Sequence, residues 1–407
     1  MAVLWLLLLV GLPTFLLGLL VWCVVHHFVT AEIPSALKNP VKLRFLHCLV
    51  LYLIALGNTL EKLRICSMPK FVRFIHDLMR IRKDPTLVVT NLHFGTIPVR
   101  LFQPKAASSN LQRGIIFFHG GAVMWGSLDF CHSLCSCLAR ETDSVVLSVG
   151  YRMLPDYHHP VFLRDCLNAS IHFLKDLQTY GVDPSRVVAC GESIGGWAVA
   201  VVTQALVSIP NLPQIQAQVL ICPIVHFINF QLPSYQQKKN IPLLTRDIVL
   251  LCMYKYLAID PSWEDAILKG TCVPPENWTK YRKWLSSDNI PKMFQSQDPQ
   301  SEFPGPFNEA AYLETNHVWN EEISPLLADD KTIAQLPKAF LVSCEYDVLR
   351  DDVLLYKKRL EDQGVPVSWY HVEDGFHGCV MLFGQKLFSF PCSLKAVSAV
   401  VSYIKGI

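Results

Sequence analysis

The sequence predicts an α/β fold in which helices flank a mostly parallel sheet of eight strands. Short apolar runs alternate with segments of helical periodicity over most of the chain, which is the pattern of a parallel sheet. A serine stands between two glycines directly after one of these runs, where a strand would turn into a helix. Two later runs are followed by the polar residues Asp347 and His377, as expected at the carboxyl edge of such a sheet. With 407 residues, the chain is long enough for one large domain with a cap.

The predicted strands are apolar runs of suitable length. They span residues 87–92, 99–103, 114–118, 145–149, 187–190, 217–222, 339–344 and 367–372. Between the sixth and seventh runs, residues from about 223 to 335 lack the alternation and are rich in Pro, Trp and Tyr. This insertion is predicted to form a helical cap, to which residues 29–85 add further helices, on a main domain of residues 86–407. Residues 393–407 carry apolar side chains at helical spacing and are predicted to be the last helix.

The segment Gly191-Glu192-Ser193-Ile194-Gly195 has the pattern of a nucleophile elbow. In so tight a turn from strand to helix, side chains two residues before and after the serine would clash, so glycine is required there. The turn exposes the serine hydroxyl above the sheet, where it can attack a carbonyl carbon. The alternative is a serine that merely begins a helix.

A second glycine-rich loop, His119-Gly120-Gly121-Ala122, follows the third predicted strand. Glycines after a strand bring bare backbone N–H groups close to a ligand, where they can stabilise a negatively charged oxygen. His119, Gly120 and Gly121 are therefore predicted to form an oxyanion hole, completed by the N–H of Ile194. The alternative is an ordinary tight turn.

Asp347 and His377 follow the last two predicted strands. The chain order Ser193, Asp347, His377 is that of the α/β-hydrolase triad and differs from the orders in chymotrypsin and subtilisin. In this chemistry His377 takes the proton of Ser193, Asp347 orients the imidazole, and Ser193 forms an acyl-enzyme that water cleaves. No metal and no organic cofactor is required.

Three other acidic residues compete with Asp347 for the acid position. Asp351 and Asp352 lie farther into the predicted following helix. Asp374 precedes Gly375 and is predicted to be a turn residue. Asp347, which comes directly after the strand, is therefore favoured.

These motifs resemble the hormone-sensitive-lipase-like branch of the α/β hydrolases, and within it the arylacetamide deacetylase-like proteins, most closely their fourth subgroup. Tyr151-Arg152-Met153-Leu154-Pro155-Asp156 is similar to the Tyr-Arg-Leu-Ala-Pro-Glu segment of that family. The resemblance covers about residues 85–407. It implies a serine esterase or deacetylase at the endoplasmic-reticulum membrane, acting on a small-molecule or lipid ester or on an acetylated arylamine.

Two positions depart from the family pattern. Ala122 stands where a third glycine is usual, and at a positive φ this alanine would cost about 1 kcal/mol and tilt the loop. Glu192 stands where aspartate is usual before the serine. Because both side chains carry one negative charge, altered packing is predicted rather than lost chemistry.

The first 30 residues contain no Asp, Glu, Lys or Arg. This stretch is long enough to cross a bilayer and longer than the apolar core of a cleaved signal peptide, so residues 1–28 are predicted to be a retained signal anchor. A second uncharged run, residues 45–60, is either a helix of the cap or one lying in the membrane face. Residues 29–85 would then be membrane-proximal.

The sequence gives conflicting signals about topology. Lys38, Lys42 and Arg44 follow the anchor, which favours a cytosolic domain. Asn168 and Asn277 begin glycosylation sequons, which are used only in the lumen; Asn168 is predicted in a helix and Asn277 in a surface loop. The family resemblance favours a single-pass type II protein with a luminal domain.

Composition excludes other classes of function. A net charge of +2 with 17% charged residues gives no footprint for nucleic acid. The 14 cysteines are scattered, mostly in apolar runs, without metal-ligand spacing. The sequence allows one disulfide but does not identify its cysteines. A neutral-lipid hydrolase and a non-catalytic ligand-binding protein on the same fold are the alternative functions. Five aromatic residues of the insertion either line a pocket or pack within the cap, namely Trp263, Trp278, Trp284, Phe303 and Phe307.

Overall fold

The computed structural model describes residues 7–78, 83–105, 111–295 and 303–407. The first six residues of the predicted anchor, and short parts of the predicted N-terminal cap segment and insertion, lie outside this range. Within it, one sheet contains eight strands: β1 (Leu87–Phe94), β2 (Ile97–Pro104), β3 (Gln112–Phe118), β4 (Ser144–Val149), β5 (Val182–Glu192), β6 (Ala217–Ile221), β7 (Lys338–Tyr346) and β8 (Val367–Phe376).

The strand order across the sheet is β1-β2-β4-β3-β5-β6-β7-β8. β2 pairs antiparallel with both β1 and β4, and the remaining neighbours are parallel. Each of the eight predicted runs forms one of these strands, so the predicted α/β class with a mostly parallel sheet is confirmed. β5, which leads into the serine turn, lies near the middle of the sheet with β3 and β6 on either side.

Helices cover both faces of the sheet. The residues of β3 alternate between two cores: Ile115 and Phe117 pack in one and Ile116 and Phe118 in the other. Burial on both faces explains why the parallel strands are continuous apolar runs rather than alternating ones. The described α-helices of the main domain outside the insertion are α4 (His132–Thr142), α5 (Val161–Lys175), α6 (Ile194–Val207), α13 (Arg350–Glu361) and α14 (Pro391–Lys405); α14 confirms the predicted last helix.

The insertion between β6 and β7 consists of short helices that pack over the end of the sheet where Ser193 lies. Its apolar side chains belong to the same hydrophobic core as α6. Its helices are α7 (Pro233–Gln237), α8 (Arg246–Leu257), α9 (Glu264–Lys269), α10 (Pro275–Leu285), α11 (Glu309–Thr315) and α12 (Asp330–Ala334). Short 3₁₀ turns occur at Pro261–Trp263, Ser287–Asn289, Lys292–Phe294, Asn316–Trp319 and Pro325–Leu327, and a further one follows β8 at Cys379–Leu382.

In the described part of the chain, three α-helices precede the sheet. A π-helical turn (Leu7–Gly11) continues into α1 (Leu12–Thr30), which is followed by α2 (Pro40–Lys62) and α3 (Met68–Asp77). The stretch Leu9–Thr30 and α2 are both long and apolar enough to cross a membrane, by length and composition. Most of the apolar side chains of α1 are exposed, whereas the first turns of α2 contact the main domain through Lys42, whose ammonium donates to the carbonyl of Ser389.

One of the two glycosylation sequons lies in a different element from the one predicted. Asn277 lies in the first turns of α10 and not in a loop, because Pro274-Pro275 begins a helix there; proline suits the first helical position. Asn168 lies in a helix, as predicted, on the exposed face of α5.

All 14 cysteines fall within the described residues and are free thiols, so the disulfide left open by the sequence is not formed.

Candidate active site

The serine turn joins β5 to α6. Ser193 has φ 56° and ψ −120°, a strained backbone conformation for a residue with a side chain. A Cβ on Gly191 would stand 2.2 Å from the carbonyl oxygen of Gly195, and a Cβ on Gly195 would stand 2.0 Å from that of Phe118. Both glycines are therefore required by close backbone contacts, as the sequence predicts.

The structure brings Ser193, His377 and Asp347 together. His377 Nε2 lies 2.8 Å from Ser193 Oγ, and His377 Nδ1 lies 2.9 Å from Asp347 Oδ2. Because a carboxylate only accepts hydrogen bonds, Nδ1 must carry the proton, which leaves Nε2 free to accept the serine hydroxyl proton. Asp347 is itself held by the N–H of Leu349, which donates to Oδ1 at 2.8 Å.

The charges around His377 favour its protonated form. Burial alone lowers the pKa of this imidazole, but the charge and hydrogen bond of Asp347, with a smaller contribution from Glu192, raise it to about 9. Burial in turn raises the pKa of Glu192 to about 7. A positive charge that forms on His377 during proton transfer is therefore stabilised.

Glu192 explains the glycine at position 120. A Cβ on Gly120 would stand 1.8 Å from Glu192 Oε2, so the buried carboxyl group occupies the space beside the glycine loop. The altered packing predicted for Glu192 therefore concerns its contact with Gly120.

The glycine loop after β3 contains consecutive residues at positive φ. Gly121, Ala122 and Val123 have φ of 112°, 56° and 57°. A left-handed conformation costs about 1–2 kcal/mol per residue with a side chain, and more for a β-branched one such as valine. The φ of Ala122 is positive, so the predicted cost of an alanine at this position applies, and Val123 adds strain that no local sequence pattern predicted.

His119 holds the loop from within. Its ring is fully buried and its Nδ1 lies 2.7 Å from the carbonyl oxygen of Gly120. The hydroxyl of Tyr151 donates to the carbonyl oxygen of His119 at 2.7 Å. The His119 side chain does not line the cavity at Ser193; it orients the loop, and the predicted donors at Gly120, Gly121 and Ile194 are backbone groups.

A narrow apolar cavity of about 40 Å³ adjoins Ser193. This volume holds a few water molecules. None of the five aromatic residues singled out in the insertion lines it. Four of them pack against the core elsewhere, and Phe307 is exposed. The lining residues are Ala122, Val123, Ser193, Ile194, Ile224, Phe227, Leu244, Val249, Cys252, Met253, Tyr256 and Leu349.

The competing acidic residues have other partners. Asp351 Oδ2 accepts the N–H of Ser234 at 2.7 Å, and Asp352 Oδ1 accepts that of Val225 at 3.0 Å, so these two side chains fasten the start of the insertion to α13. Asp374 lies within β8 rather than in a turn, which corrects the prediction, and its Oδ1 accepts from Lys395 Nζ at 2.8 Å.

Comparison with known proteins identifies the family. A family profile described as the alpha/beta hydrolase fold matches residues 115–284 and 306–381. Arylacetamide deacetylase-like 4 of Homo sapiens is 66% identical over 407 residues, which is 100% of both chains. The chain belongs to the arylacetamide deacetylase-like proteins of the α/β-hydrolase family. Arylacetamide deacetylase of Rattus norvegicus is 32% identical over 383 residues, covering 89% of this chain and 93% of the rat protein.

Solved structures share the fold of this family member at much lower identity. A thermostable esterase from Pseudomonas putida matches with a TM-score of 0.65 at 20% identity, over 92% of this chain and 98% of that one. An esterase from Pyrobaculum calidifontis matches with a TM-score of 0.61 at 21% identity, over 86% and 97% of the two chains. The likeness confirms the α/β-hydrolase architecture.

Proposed function

We propose that the chain is a membrane-anchored serine hydrolase that cleaves carboxylic esters or acetylated arylamines through an acyl-enzyme. The observation that carries the proposal is His377, which contacts Ser193 Oγ with one ring nitrogen and Asp347 with the other. Membership of an esterase and deacetylase family supports the reaction class.

The reaction follows from these contacts. As Ser193 Oγ attacks the acyl carbon, its proton passes to His377 Nε2, and the carbonyl electron pair moves onto the oxygen. The tetrahedral intermediate collapses, the bond to the leaving group breaks, and the departing alcohol or amine takes the proton from His377. Water then attacks the acyl-enzyme with His377 as base, releasing the carboxylic acid and restoring the serine.

The oxyanion of the intermediate would be bound by backbone N–H groups. Those of Gly120, Gly121 and Ile194 are our candidates, because the glycine loop and the first turn of α6 meet at the cavity. Losing one such donor typically lowers the rate by about 10²–10³.

The substrate acyl group is proposed to be small and apolar. The cavity is narrow and lined by apolar side chains, and the rat relative is named an arylacetamide deacetylase. Hydrolysis of a neutral lipid remains the second candidate, because the same apolar wall would contact an acyl chain. Chain-length preference separates the two candidates.

The anchor is proposed to be the N-terminal helix, with the catalytic domain in the lumen of the endoplasmic reticulum as a single-pass type II protein. The exposed apolar surface of α1 supports the anchor, because it would otherwise face water. Asn168 is the better of the two glycosylation candidates, since it lies on an exposed helix face, while Asn277 is half-buried.

The test is hydrolysis of p-nitrophenyl acetate and longer acyl esters by membranes that contain the full-length chain. We expect activity in the wild type and its loss in Ser193→Ala. The matched control is Ser343→Ala, since Ser343 Oγ also lies 2.9 Å from a histidine nitrogen, His371 Nδ1, but does not line the cavity. Equal activity of Ser193→Ala and wild type contradicts the proposal, and a folded wild type without any hydrolysis favours the ligand-binding alternative.

A further inference from the structure

The helix α3 lies against the glycine loop. The Nη1 group of Arg73 donates one hydrogen bond to the carbonyl oxygen of Met124 and another to that of Leu154, each at 2.8 Å. Arg73 is half-buried, and it lies outside the residues matched by the family profile. It thus connects the helical segment before the sheet to two loops beside the cavity.

The two loops joined by Arg73 also contact each other directly. The N–H of Leu154 donates to the carbonyl oxygen of Val123 at 3.0 Å. Arg73 therefore donates to Met124, which follows Val123 in the chain, and to Leu154, whose N–H is bonded to Val123. These contacts surround the two side-chain-bearing residues at positive φ, Ala122 and Val123, which line the cavity with Ser193.

Strained backbone persists only where its surroundings fix it. Within the loop, the N–H groups of Met124 and Trp125 both bond to the carbonyl oxygen of Gly121, at 3.0 and 2.7 Å. Among the described residues, the carbonyl oxygen of Val123 accepts a hydrogen bond from Leu154 and that of Met124 accepts one from Arg73, and both partners lie outside the loop. Removing Arg73 takes away one external bond at Met124 and loosens Leu154, which supplies the other.

We propose that Arg73 is a positioning residue that holds the glycine loop in the strained conformation needed to bind the oxyanion. This inference rests on the proposed hydrolase function. It makes α3 part of the active-site structure as well as a connection between the membrane-proximal helix α2 and the main domain.

Other contacts fix α3 firmly enough for this role. Met68 and Val72 are buried in the same core as Val123, Met124 and Leu154. On the outer side of the helix, Lys70 pairs with Asp156 at 2.8 Å, and Asp77 accepts from Ser127 Oγ at 2.5 Å. Lys70 donates to neither loop carbonyl, and its exposed ion pair with Asp156 contributes little to stability. It therefore provides a matched control on the same helix.

The kinetic test compares Arg73→Met, Arg73→Lys and Lys70→Met in full-length, membrane-bound protein. A loop displaced by about 1 Å lowers the rate about 100-fold, so Arg73→Met is expected to lower kcat by about this factor while KM changes less than about threefold. Arg73→Lys keeps N–H donors and is expected to recover part of the loss. Lys70→Met is expected to resemble the wild type.

A second substitution tests whether strain is the cause. Ala122→Gly removes the cost of a side chain at positive φ, so the loop needs less external support. We expect Arg73→Met/Ala122→Gly to regain about tenfold in kcat over Arg73→Met, from the known cost of a left-handed alanine. A merely structural role for Arg73 predicts that the two substitutions act independently.

A readout without catalysis separates this inference from the proposed function. Amide hydrogen exchange in residues 120–126 should be faster in Arg73→Met than in Lys70→Met, with no change in the peptides of β5, and should slow again in the double variant. If the wild type hydrolyses nothing, the proposed function fails while the exchange result still decides the role of Arg73. Unchanged exchange in the loop, or a kcat within threefold of wild type, overturns the inference.

Discussion

The two hydrogen bonds of His377 determine how the site responds to pH. In the proposed mechanism His377 must be neutral to accept the serine proton, and Asp347 stabilises the protonated form through both its charge and its hydrogen bond. A raised pKa means that the neutral fraction is small at acidic pH and increases as pH rises. Activity is therefore expected to increase on the alkaline side of the ordinary histidine value.

The pH profile of kcat/KM provides the first prediction. We expect it to rise with a midpoint above 6.5, towards the value of about 9 for His377. Asp347→Asn removes the charge that raises this pKa, so the midpoint should move to lower pH, with a loss of about 10⁴ in kcat as in other triads. An unchanged midpoint in Asp347→Asn contradicts the assignment of this residue.

Glu192→Gln removes the second carboxylate that raises the pKa of His377. The Glu192 charge also raises the pKa of His377, but by less than Asp347 does. We expect a smaller downward shift of the midpoint and a much smaller loss of kcat, measured under the same conditions as for Asp347→Asn. A larger shift than that of Asp347→Asn would reverse the order of the two carboxyl groups.

At the scale of structural elements, the features that the sequence predicted correctly are those fixed by residues close together in the chain. The turn at Ser193 follows from glycines whose Cβ atoms would clash with backbone, and the strands follow from apolar runs buried on both faces. The left-handed φ of Val123 and the contact of Arg73 with Met124 had no such signal. Both depend on loops that are distant in the chain, and no sequence pattern brings those loops together.

Residues of the insertion line the cavity at Ser193. Phe227 and Met253 line the cavity at Ser193 and also a second apolar cavity of about 10 Å³ within the cap. The two side chains thus separate the two spaces. A shorter side chain at either position would join them and lengthen the space available beyond Ser193.

Met253→Ala is therefore expected to shift preference towards longer acyl groups. With about 0.8 kcal/mol for each buried methylene, two additional methylenes correspond to an increase of about tenfold in kcat/KM for a butyrate ester relative to acetate. The control is Met293→Ala, which changes an exposed methionine of the insertion. Equal preference in Met253→Ala and wild type would show that these side chains do not limit chain length.

At the scale of the whole molecule, the proposed arrangement has the N-terminal helices connect a membrane to the hydrolase domain. One of the three basic residues that gave the opposing topology signal is used in packing: Lys42 bonds to the carbonyl of Ser389 and lies over the ring of Phe390. Lys38 is largely exposed, 3.9 Å from Asp374, and Arg44 contacts His27 of the N-terminal helix. Packing against the main domain therefore accounts for the position of Lys42.

A luminal domain predicts glycosylation. The full-length chain should change electrophoretic mobility on treatment with an N-glycosidase, and Asn168→Gln should remove more of that change than Asn277→Gln, because only Asn168 is on an open helix face. The protein should stay in the membrane pellet after alkaline carbonate washing. If neither asparagine is glycosylated and a protease added on the cytosolic side cleaves the domain, the domain lies in the cytosol.

The central claim is that Ser193 is a nucleophile activated by His377, and covalent labelling tests it most directly. Membranes with the full-length chain are treated with a serine-directed fluorophosphonate, and the modified peptide is identified by mass spectrometry. We expect one label on Ser193 in the wild type and strongly reduced labelling in His377→Ala, while Ser343→Ala labels as the wild type does. A label on another serine, or labelling of Ser193 at the same rate without His377, would contradict the account.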